Sequence, residues 1–473
     1  MPGPGLVRGA CVGKRVLYFF ARKDMRMIKF PSPAVSIVGR HNSGKTTLIE
    51  KLIAELVGRG LDVGSVKHHS HVGFDIDIPG KDSWRHRHAG ASETVIAAPG
   101  QMARIQTTDG EAECADIVAS MPGHDVVIVE GYRKSGLPTI EIMRAGNKAD
   151  ARTAEVFAEG ARKGWALGTD FTQFGRGSMP HAAEVHPDDH PVAQPLDQAE
   201  EDRLARSYPD HADISNKMPT AATVAVVTDI PLAAEAAGMY GIPAFDINDV
   251  AGLADFLQAT FARPRVSMVI QAGGESRRMG RSKATVPFCG RPLICRLVER
   301  LSPVADELIV TTNEPKELAF LQEQYPELGI RFESDVINER GALPGLYTAL
   351  RCARNPYVAV VACDMVLASP SLVVAEALEM TRTGADVVVP VNKHGFEPFH
   401  AIYRRSGCLP AVRAALNEGE KRAQVFFNQV NVCEFPQKKV LEAEPMGGCF
   451  MNANTPDELA ALERIIQDRI ECE

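Results

Sequence analysis

Two glycine-rich loops in this 473-residue chain carry residues suited to phosphate chemistry. The first loop, residues 39–46, has the spacing G-x-x-x-x-G-K-T and lies between an apolar run at 34–38 and a helical pattern at 48–56. In such a loop, backbone N–H groups surround phosphate oxygens at a helix N-terminus, the lysine reaches the terminal phosphates, and the threonine hydroxyl can ligate magnesium. The loop therefore predicts a nucleoside triphosphate site formed by Gly39, Asn42, Ser43, Gly44, Lys45, Thr46 and Thr47.

The second loop, residues 272–283, follows the strand-like run 266–270 and is of a different kind, because Lys283 precedes an alanine. Its composition suits a site that holds a triphosphate while the α-phosphate is attacked. Lys283 and Arg278 can offset negative charge on the α-phosphate and on the departing pyrophosphate. Backbone amides at Gly273 and Gly274 can approach phosphate closely because glycine has no Cβ. The second loop therefore indicates nucleotidyl transfer.

Two acidic residues follow apolar runs that are typical of buried strands. Asp364 follows the run 358–362, and Glu130 follows the run 126–129. Ligands of open α/β sheets collect at the carboxyl ends of strands, so each carboxylate is a candidate magnesium ligand, Asp364 directly and Glu130 through water. The alternatives are structural, namely a turn or helix N-cap role for Asp364 and a buried structural carboxylate for Glu130.

The alternation of strand and helix patterns predicts an α/β protein, and the chain length favours at least two domains. We expect a first domain at 32–262, with a mainly parallel sheet and an irregular insertion at about 151–218 that is rich in Asp, Glu, Pro and His. We expect a second domain at 265–473 and a disordered tail at 1–31. The predicted strands lie at 34–38, 62–67, 94–98, 125–129, 139–143 and 223–227, and then at 266–271, 307–311, 357–362, 386–390 and 400–404.

The composition is that of a globular protein, with 45% apolar and 24% charged residues. The net charge of -8 gives no overall attraction for a nucleic-acid backbone, and no apolar run approaches the length that spans a membrane. The ten cysteines include no C-x-x-C pair. We therefore expect reduced thiols, a cytoplasmic location, and neither nucleic-acid nor membrane partners.

Further motifs resemble two families of molybdenum cofactor synthesis. The first domain resembles MobB, a GTP-binding adapter, in its P-loop and in K-H-H at 67–69, F-D-I-D-I-P-G-K-D-S at 74–83, R-H-R-H-A-G-A at 85–91 and V-E-G-Y at 129–132. The second resembles MobA, the molybdenum cofactor guanylyltransferase, in its glycine-rich loop and in G-A-L-P-G at 341–345, C-D-M at 363–365, E-P at 397–398 and F-M-N-A-N-T-P at 450–456. The resemblance implies an N-terminal P-loop NTPase domain and a C-terminal Rossmann-like nucleotidyltransferase domain.

The resemblance also implies an activity. The second domain would transfer GMP from GTP to molybdopterin with Mg2+ as cofactor, and the first would bind GTP and hydrolyse it weakly. The implied catalytic residues are Lys283, Arg278 and Asp364, and the implied GTP contacts of the second domain are Ala272, Gly273, Gly274, Lys283, Asp335, Leu343, Gly345 and Asp364. Asn452 and Asn454 would support the pterin phosphate or the metal, whose ligands would be Asp364, Thr46 and Glu130. Further partners would be molybdoenzyme apoproteins and molybdenum-insertion proteins.

Two departures from the family pattern bear on base recognition. Gln271 opens the second loop where relatives usually have leucine, and G-A-L-P-G replaces the commoner G-P-L-A-G. A molybdopterin cytidylyltransferase is therefore an alternative, a sugar-phosphate nucleotidyltransferase is a more distant one, and a GTP-dependent carrier without turnover in the second domain is a third. An intact Lys283 and Asp364 favour turnover.

Two short patterns have competing interpretations. Asn147-Lys148-Ala149-Asp150 matches the guanine-reading N-K-x-D of GTPases, although four common residue types arise readily by chance. Thr455 and Glu458 have the spacing of a capping box, which predicts a helix start directly after Asn454.

Overall fold

We describe the fold from a computed structural model, for residues 28–69, 77–168, 217–273, 282–337, 339 and 341–471, with side chains up to residue 467. The chain divides into two compact units, Pro31–Arg263 and Pro264–Glu473, and residues 28–30 belong to the second. Each unit has its own sheet and its own hydrophobic core. Across the described ranges, no helix combines the length and the apolar composition needed to cross a membrane.

The N-terminal unit is an α/β unit with a parallel sheet. Its described strands are β1 (Ala34–Gly39), β2 (Val63–Lys67), β3 (Glu93–Ala98), β4 (Gln101–Gln106), β5 (Val126–Glu130), β6 (Thr139–Met143), β7 (Thr223–Thr228) and β8 (Ala244–Phe245). The main sheet has the order β2-β5-β1-β6-β7-β8, with every pair parallel. Since β1 lies between β5 and β6, the carboxyl ends of these three strands meet where the first glycine-rich loop begins.

Helices cover both faces of this sheet. They are α1 (Lys45–Gly58), α2 (Asp82–His88), α3 (Cys114–Ala119), α4 (Lys148–Lys163), α5 (Pro231–Met239) and α6 (Val250–Thr260). Leu48, Leu52 and Leu56 of α1 pack with Leu253 and Leu257 of α6 in one core cluster. On the other face, α4 and α5 pack together over a second cluster. The N-terminal unit is thus a three-layer α/β sandwich, as the strand and helix patterns predict.

The prediction of irregular structure from residue 151 is wrong for its first part, because α4 extends to Lys163. Phe157, Ala154 and Ala158 are buried on one face of this helix. Tertiary packing therefore stabilises a helix that the many charged residues of the segment make difficult to recognise in the sequence. Residues 169–216 of the predicted insertion lie outside the described residues.

The predicted strand at 94–98 exists, but it does not join the main sheet. It forms β3, which pairs with β4 in a separate antiparallel hairpin. The two-residue connection is Pro99-Gly100, and Gly100 has a φ of 77°, a left-handed conformation that glycine adopts without strain. The sequence therefore identifies the strand but not its partner.

The C-terminal unit has a mixed sheet. Its strands are β9 (Val266–Gln271), β10 (Pro287–Phe288), β11 (Arg291–Pro292), β12 (Glu307–Thr311), β13 (Arg331–Glu333), β14 (Tyr357–Ala362), β15 (Val387–Asn392), β16 (Gly395–Phe396), β17 (His400–Arg404) and β18 (Val432–Pro436). The main sheet has the order β13-β12-β9-β14-β17-β15-β16, with β18 beside β15. Strand β9 pairs in parallel with β12 and β14, so the strand order reverses direction at β9. Open α/β sheets bind ligands at such a reversal.

The helices of the C-terminal unit enclose its sheet. They are α7 (Leu293–Leu301), α8 (Phe320–Gln324), α9 (Ala342–Cys352), α10 (Pro370–Thr383), α11 (Arg405–Asn417), α12 (Gln437–Ala443) and α13 (Pro456–Glu471). One core cluster includes Met268 and Ile270 of β9, and the other includes Val269 of β9 with Leu343 and Leu346 of α9. Alternate residues of β9 therefore point to opposite faces, as the period of a strand requires.

The N-terminal tail was predicted to be disordered through residue 31, and this is wrong for its last residues. Phe30 is buried in the core of the C-terminal unit, and Ile28 packs against that core. Burial of an aromatic ring is a large apolar gain, which explains why these residues are ordered. Residues 1–27 lie outside the described residues.

Candidate nucleotide sites

The first glycine-rich loop joins β1 to the N-terminus of α1. Asn42 and Gly44 have φ values of 58° and 84°, so the loop folds back through two left-handed residues before the helix starts at Lys45. Gly39 has no room for a side chain, because a Cβ there would lie 2.8 Å from Ser43 Oγ and 2.9 Å from the Ile142 carbonyl oxygen. The loop is thus a tight backbone cradle, which is what a phosphate group needs at a helix N-terminus.

Lys45 folds over this cradle. Its ammonium group donates to the carbonyl oxygens of Arg40, at 2.6 Å, and Gly39, at 3.1 Å. Partial burial lowers the pKa of Lys45, partly opposed by the nearby Glu130 carboxylate. A lysine held by carbonyl oxygens of its own loop can turn to phosphate oxygens without a rearrangement of the backbone.

Thr46 and Glu130, which the sequence suggested as metal ligands, are in contact with each other. The Thr46 hydroxyl donates to Glu130 Oε1 at 3.0 Å. Glu130 ends β5 beside Ile37 of β1, and its other oxygen, Oε2, lies 3.4 Å from the Lys67 ammonium nitrogen. Ser43 is buried and its hydroxyl has no hydrogen-bond partner among the described residues, whereas Thr47 is exposed.

The N-K-x-D pattern has a structural role. The Asn147 side chain caps α4 by accepting from the backbone N–H groups of Ala149 and Asp150. The Asp150 carboxylate is buried, lies 3.0 Å from Arg40 Nε, and accepts from the Arg144 backbone. Both side chains are therefore engaged, and the structure favours capping over base recognition for this segment.

Sequence reasoning missed a buried ion pair beneath the first loop. Arg133 donates through both terminal nitrogens to Glu141 in the middle of β6, with an Nη2 to Oε2 distance of 2.6 Å. Burial raises the pKa of Glu141 to about 7, and the Arg133 charge opposes that rise. Because Arg133 follows β5 and Glu141 lies in β6, the pair bridges the two neighbours of β1. The signal was available as a glutamate in the apolar string T-I-E-I-M.

In the C-terminal unit, three predicted residues meet at one point. Lys283 Nζ donates to Asp364 Oδ2 at 2.9 Å and to Asn454 Oδ1 at 2.6 Å. Asp364 follows β14, Lys283 begins a short 3-10 turn, and Asn454 precedes α13. The side chains of Lys283 and Asp364 are each 20% exposed, so the cluster is accessible to a ligand.

The helix start after Asn454 is confirmed as a capping box. Glu458 accepts from the backbone N–H groups of Asn454 and Thr455, and the Thr455 hydroxyl accepts from the Glu458 N–H. Capping uses the backbone N–H of Asn454 and not its side chain. The side-chain amide oxygen of Asn454 can therefore accept from Lys283. Asn452 is exposed, and within the part of the chain that the structure describes no contact joins it to the three residues of the cluster.

The other residues expected to contact GTP in the second domain differ in their surroundings. Asp335 accepts from the Asn313 side-chain amide at 2.8 Å and lies close to Gly273. The segment Leu343-Pro344-Gly345 lies in the first turn of α9. The Leu343 side chain is fully buried, and its N–H donates to the Lys421 carbonyl oxygen at 3.0 Å. Ala272 is buried directly after β9, while Gly274 and Arg278 lie outside the described residues.

A second buried titratable pair was also missed. His400 and Glu376 are both fully buried, with 3.5 Å between His400 Nδ1 and Glu376 Oε1, and His400 Nε2 accepts from the Ser369 N–H at 3.0 Å. Burial raises the pKa of Glu376 to about 7. Among the described residues, no group of three or more His, Cys, Asp or Glu side chains forms a metal site.

Comparison with known proteins matches both halves of the chain. The family model described as molybdopterin guanine dinucleotide synthesis protein B, MobB, matches residues 34–158, and the MobA-like NTP transferase domain matches residues 268–432. A probable molybdenum cofactor guanylyltransferase of Natranaerobius thermophilus is 31% identical over 196 residues, which are 41% of this chain and 93% of that protein. The molybdenum cofactor guanylyltransferase of Desulfosudis oleivorans is 30% identical over 203 residues, covering 43% of this chain and 96% of that protein.

Among solved structures, similarity extends to molybdopterin-guanine dinucleotide biosynthesis protein A from Archaeoglobus fulgidus. That match has 27% sequence identity and a TM-score of 0.38, and it covers 43% of this chain and 99% of that one.

Proposed function

This chain belongs to the molybdenum cofactor guanylyltransferase family, and we propose that it transfers GMP from GTP to molybdopterin while a fused MobB domain binds a second GTP. A terminal phosphate oxygen of molybdopterin attacks the α-phosphorus of GTP. One new P–O bond forms there, the bond between the α-phosphorus and the bridging oxygen breaks, and pyrophosphate leaves. The product is molybdopterin guanine dinucleotide.

The observation that carries this proposal is the convergence of Lys283, Asp364 and Asn454 at the end of β14. A phosphate monoester is already anionic at neutral pH, so the reaction needs positioning and charge neutralisation more than a strong base. Lys283 supplies a positive charge beside the sheet edge where the triphosphate would lie. Gly273 adds backbone that phosphate can approach closely, because glycine has no Cβ.

The residues at this point also fit Mg2+. Asp364 and Asn454 each offer a side-chain oxygen to the same nitrogen, so two oxygen donors already converge, and Mg2+ prefers such oxygen ligands together with substrate phosphates. When bound, Mg2+ would neutralise charge on the triphosphate. Asp364 and Asn454 would hold it, and Lys283 would move to phosphate oxygens. In the N-terminal unit, the Thr46 hydroxyl and the Glu130 carboxylate offer a comparable pair of oxygens.

The N-terminal unit adds a second nucleotide site with its own lysine and its own acid. We infer that it binds GTP, hydrolyses it slowly and assists transfer by tethering, since covalent linkage raises the local concentration of one module for the other. Delivery of the product to molybdoenzyme apoproteins or molybdenum-insertion proteins would extend this adapter role.

The decisive experiment is an end-point transfer assay on the purified full chain with molybdopterin, Mg2+ and either GTP or CTP, with products identified by mass spectrometry. We expect the guanine dinucleotide and pyrophosphate in equal amounts from GTP, and little product from CTP. The matched control is Asp364→Asn, which keeps the size of the side chain and removes its charge. A cytosine dinucleotide as the main product would replace guanylyl with cytidylyl transfer, and nucleotide binding without product would favour a carrier.

A further inference from the structure

The carboxyl ends of β1, β6 and β7 lie side by side in the N-terminal unit. Gly39, at the end of β1, pairs with Ile142 of β6, and β6 in turn pairs with β7. Both pairs of strands are parallel, so the residues that follow the three strands meet at one edge of the sheet. Arg144 directly follows β6, and Asp229 directly follows β7. These two residues therefore lie on the edge where the first glycine-rich loop begins, which is the ligand edge of an open α/β sheet.

Arg144 and Asp229 form an ion pair that borders the phosphate cradle. Asp229 Oδ2 accepts from Arg144 Nε at 3.1 Å, and Asp229 Oδ1 accepts from the Ala145 backbone N–H at 2.6 Å. A Cβ built on Gly44 would lie 3.0 Å from Arg144 Nη1, so the guanidinium group lies against the last glycine of the loop. The side chains of Arg144 and Asp229 are 36% and 29% exposed, so a ligand in the loop can reach both.

The two sides of β1 indicate the direction in which a nucleotide would lie. Glu130, whose carboxylate contacts the Thr46 hydroxyl, ends β5 on one side of β1. This pair of oxygen donors suits Mg2+, which binds nucleotides through their phosphates, so the terminal phosphates belong on the β5 side. The sugar and the base then extend in the opposite direction, over the carboxyl ends of β6 and β7. Arg144 and Asp229 lie at these ends.

The Asp229 carboxylate has the hydrogen-bonding capacity that guanine requires. Partial burial raises its pKa, but hydrogen bonds from the Ala145 N–H and from Arg144 outweigh this effect and hold the pKa below its ordinary value. The group is therefore an ionised acceptor at neutral pH, and each of its oxygens has a further lone pair. Guanine presents two adjacent donors, N1–H and the 2-amino group, whereas adenine presents an acceptor at N1.

We propose that Asp229 makes the P-loop site specific for guanine by accepting from the N1–H and the 2-amino group of the base, with Arg144 as the positioning residue that orients the carboxylate. This assignment rests on the GTP binding proposed above for the N-terminal unit. It gives base recognition to a different acid from Asp150, whose carboxylate is buried against Arg40.

The test is an equilibrium titration of the full-length chain with GTP, inosine triphosphate and xanthosine triphosphate in the presence of Mg2+. Lys45→Ala protein measures binding at the second site alone, so its difference from wild type reports the P-loop site. Inosine lacks the 2-amino group, and xanthine has an oxygen acceptor in its place. We expect the wild-type P-loop site to bind both analogues at least about tenfold more weakly than GTP. Equal affinity for GTP and inosine triphosphate would overturn the assignment without any variant at Asp229.

Asp229→Asn should change which base the site prefers. An amide keeps an acceptor for N1–H and supplies a donor for the 2-oxo group of xanthine. We expect the variant to bind GTP about tenfold more weakly than wild type and xanthosine triphosphate about tenfold more tightly. Asp246→Asn makes the same change directly after the neighbouring strand β8, and this matched control should leave both affinities unchanged. A purely structural role of Asp229 would weaken the binding of all three nucleotides alike, and that result would refute the proposal.

The proposed function is tested independently by transfer from GTP to molybdopterin on the wild-type protein. If wild type forms no dinucleotide, guanylyl transfer is contradicted, and the titrations still decide the role of Asp229. If wild type and Lys45→Ala give identical titrations with GTP, the P-loop site binds no GTP, and both the proposed adapter role and the assignment of Asp229 are wrong.

Discussion

Lys283 and Asp364, which lie 81 residues apart in the chain, form an ion pair with 2.9 Å between Nζ and Oδ2. Each neutralises the other, and the Asn454 side-chain oxygen also accepts from the lysine. Removing either charge leaves a polar partner without its counter-charge in a partly buried site. Variants at this pair must therefore be judged by transfer kinetics together with a measurement of folding.

Asp364→Ala should lower transfer by at least about a hundredfold, because it removes the carboxylate that both positions Lys283 and is available to a metal. The fold should persist, since Val358 and Val360 carry the packing of β14. Transfer rates with saturating GTP and molybdopterin, together with circular dichroism, test this. Activity within a few-fold of wild type in a folded variant would remove Asp364 from the catalytic site.

Lys283→Ala should lower kcat more than it weakens GTP binding. The lysine charge stabilises the reacting phosphates most strongly when negative charge builds up on the departing pyrophosphate. Its loss should therefore raise the free energy of the transition state more than that of the bound ground state. Lys283→Arg keeps the charge with a different shape and serves as the matched control. Rate constants and GTP dissociation constants are compared for the three proteins, and parallel losses in both quantities would make Lys283 a ground-state contact.

Lys45→Ala should abolish the slow GTP hydrolysis that we propose for the N-terminal unit and leave the rate of guanylyl transfer unchanged at saturating substrate. The reason is that each unit has its own lysine and its own acid, Lys45 with Glu130 and Lys283 with Asp364. Phosphate release and dinucleotide formation are measured on the same full-length preparation. Loss of transfer at saturating GTP and cofactor would show that the two nucleotide sites depend on each other.

The buried Glu376 should make stability fall as pH rises. Its pKa is raised from 4.5 to about 7 in the folded state. Between pH 4.5 and about 7, Glu376 is therefore protonated in the folded protein and ionised in the unfolded protein. The stabilisation is present below pH 4.5 and is lost as pH rises through about 7, an effect on the order of 1–3 kcal/mol. Glu376→Gln should remove this dependence, as measured by urea unfolding at pH 5 and pH 8.

Glu379, on the same helix as Glu376, provides a control, because its effect on stability should change with pH in the opposite direction. Hydrogen bonds from Arg382 and Lys439 lower its pKa to about 2, so its stabilisation is present above pH 4.5 and is lost as pH falls. Glu379→Gln should therefore cost stability at pH 8 and less at pH 3. An identical pH profile for the two variants would contradict this difference in environment.

The sequence predicted the first nucleotide loop and most strands because both depend on local patterns. G-x-x-x-x-G-K-T between a strand and a helix specifies a backbone shape, and the run at 34–38 proved to be β1. The N-K-x-D pattern was ambiguous in the sequence, because four residue types do not reveal that Asn147 caps a helix or that Asp150 pairs with Arg40. Which strands pair, and which side chains from distant segments meet, depends on tertiary packing.

The same reasoning applies to the proposed catalytic cluster. Sequence patterns proposed Lys283, Asp364 and Asn454 separately, but their contact depends on three segments that the fold brings together. The pair of Arg133 and Glu141 was missed because Arg133 lies in the segment after β5, and nothing local in the sequence connects it with the glutamate in the apolar string of β6.

The burial of Phe30 makes the C-terminal unit discontinuous in sequence. Its core takes an aromatic ring from ahead of Pro31 and then resumes at Pro264, so the N-terminal unit is inserted into the catalytic unit rather than simply joined to one end. A fragment that starts at residue 264 would lack this ring and expose the apolar surface it covers. Recombinant separation of the two activities should therefore replace residues 31–263 with a short flexible linker and retain residues 28–30.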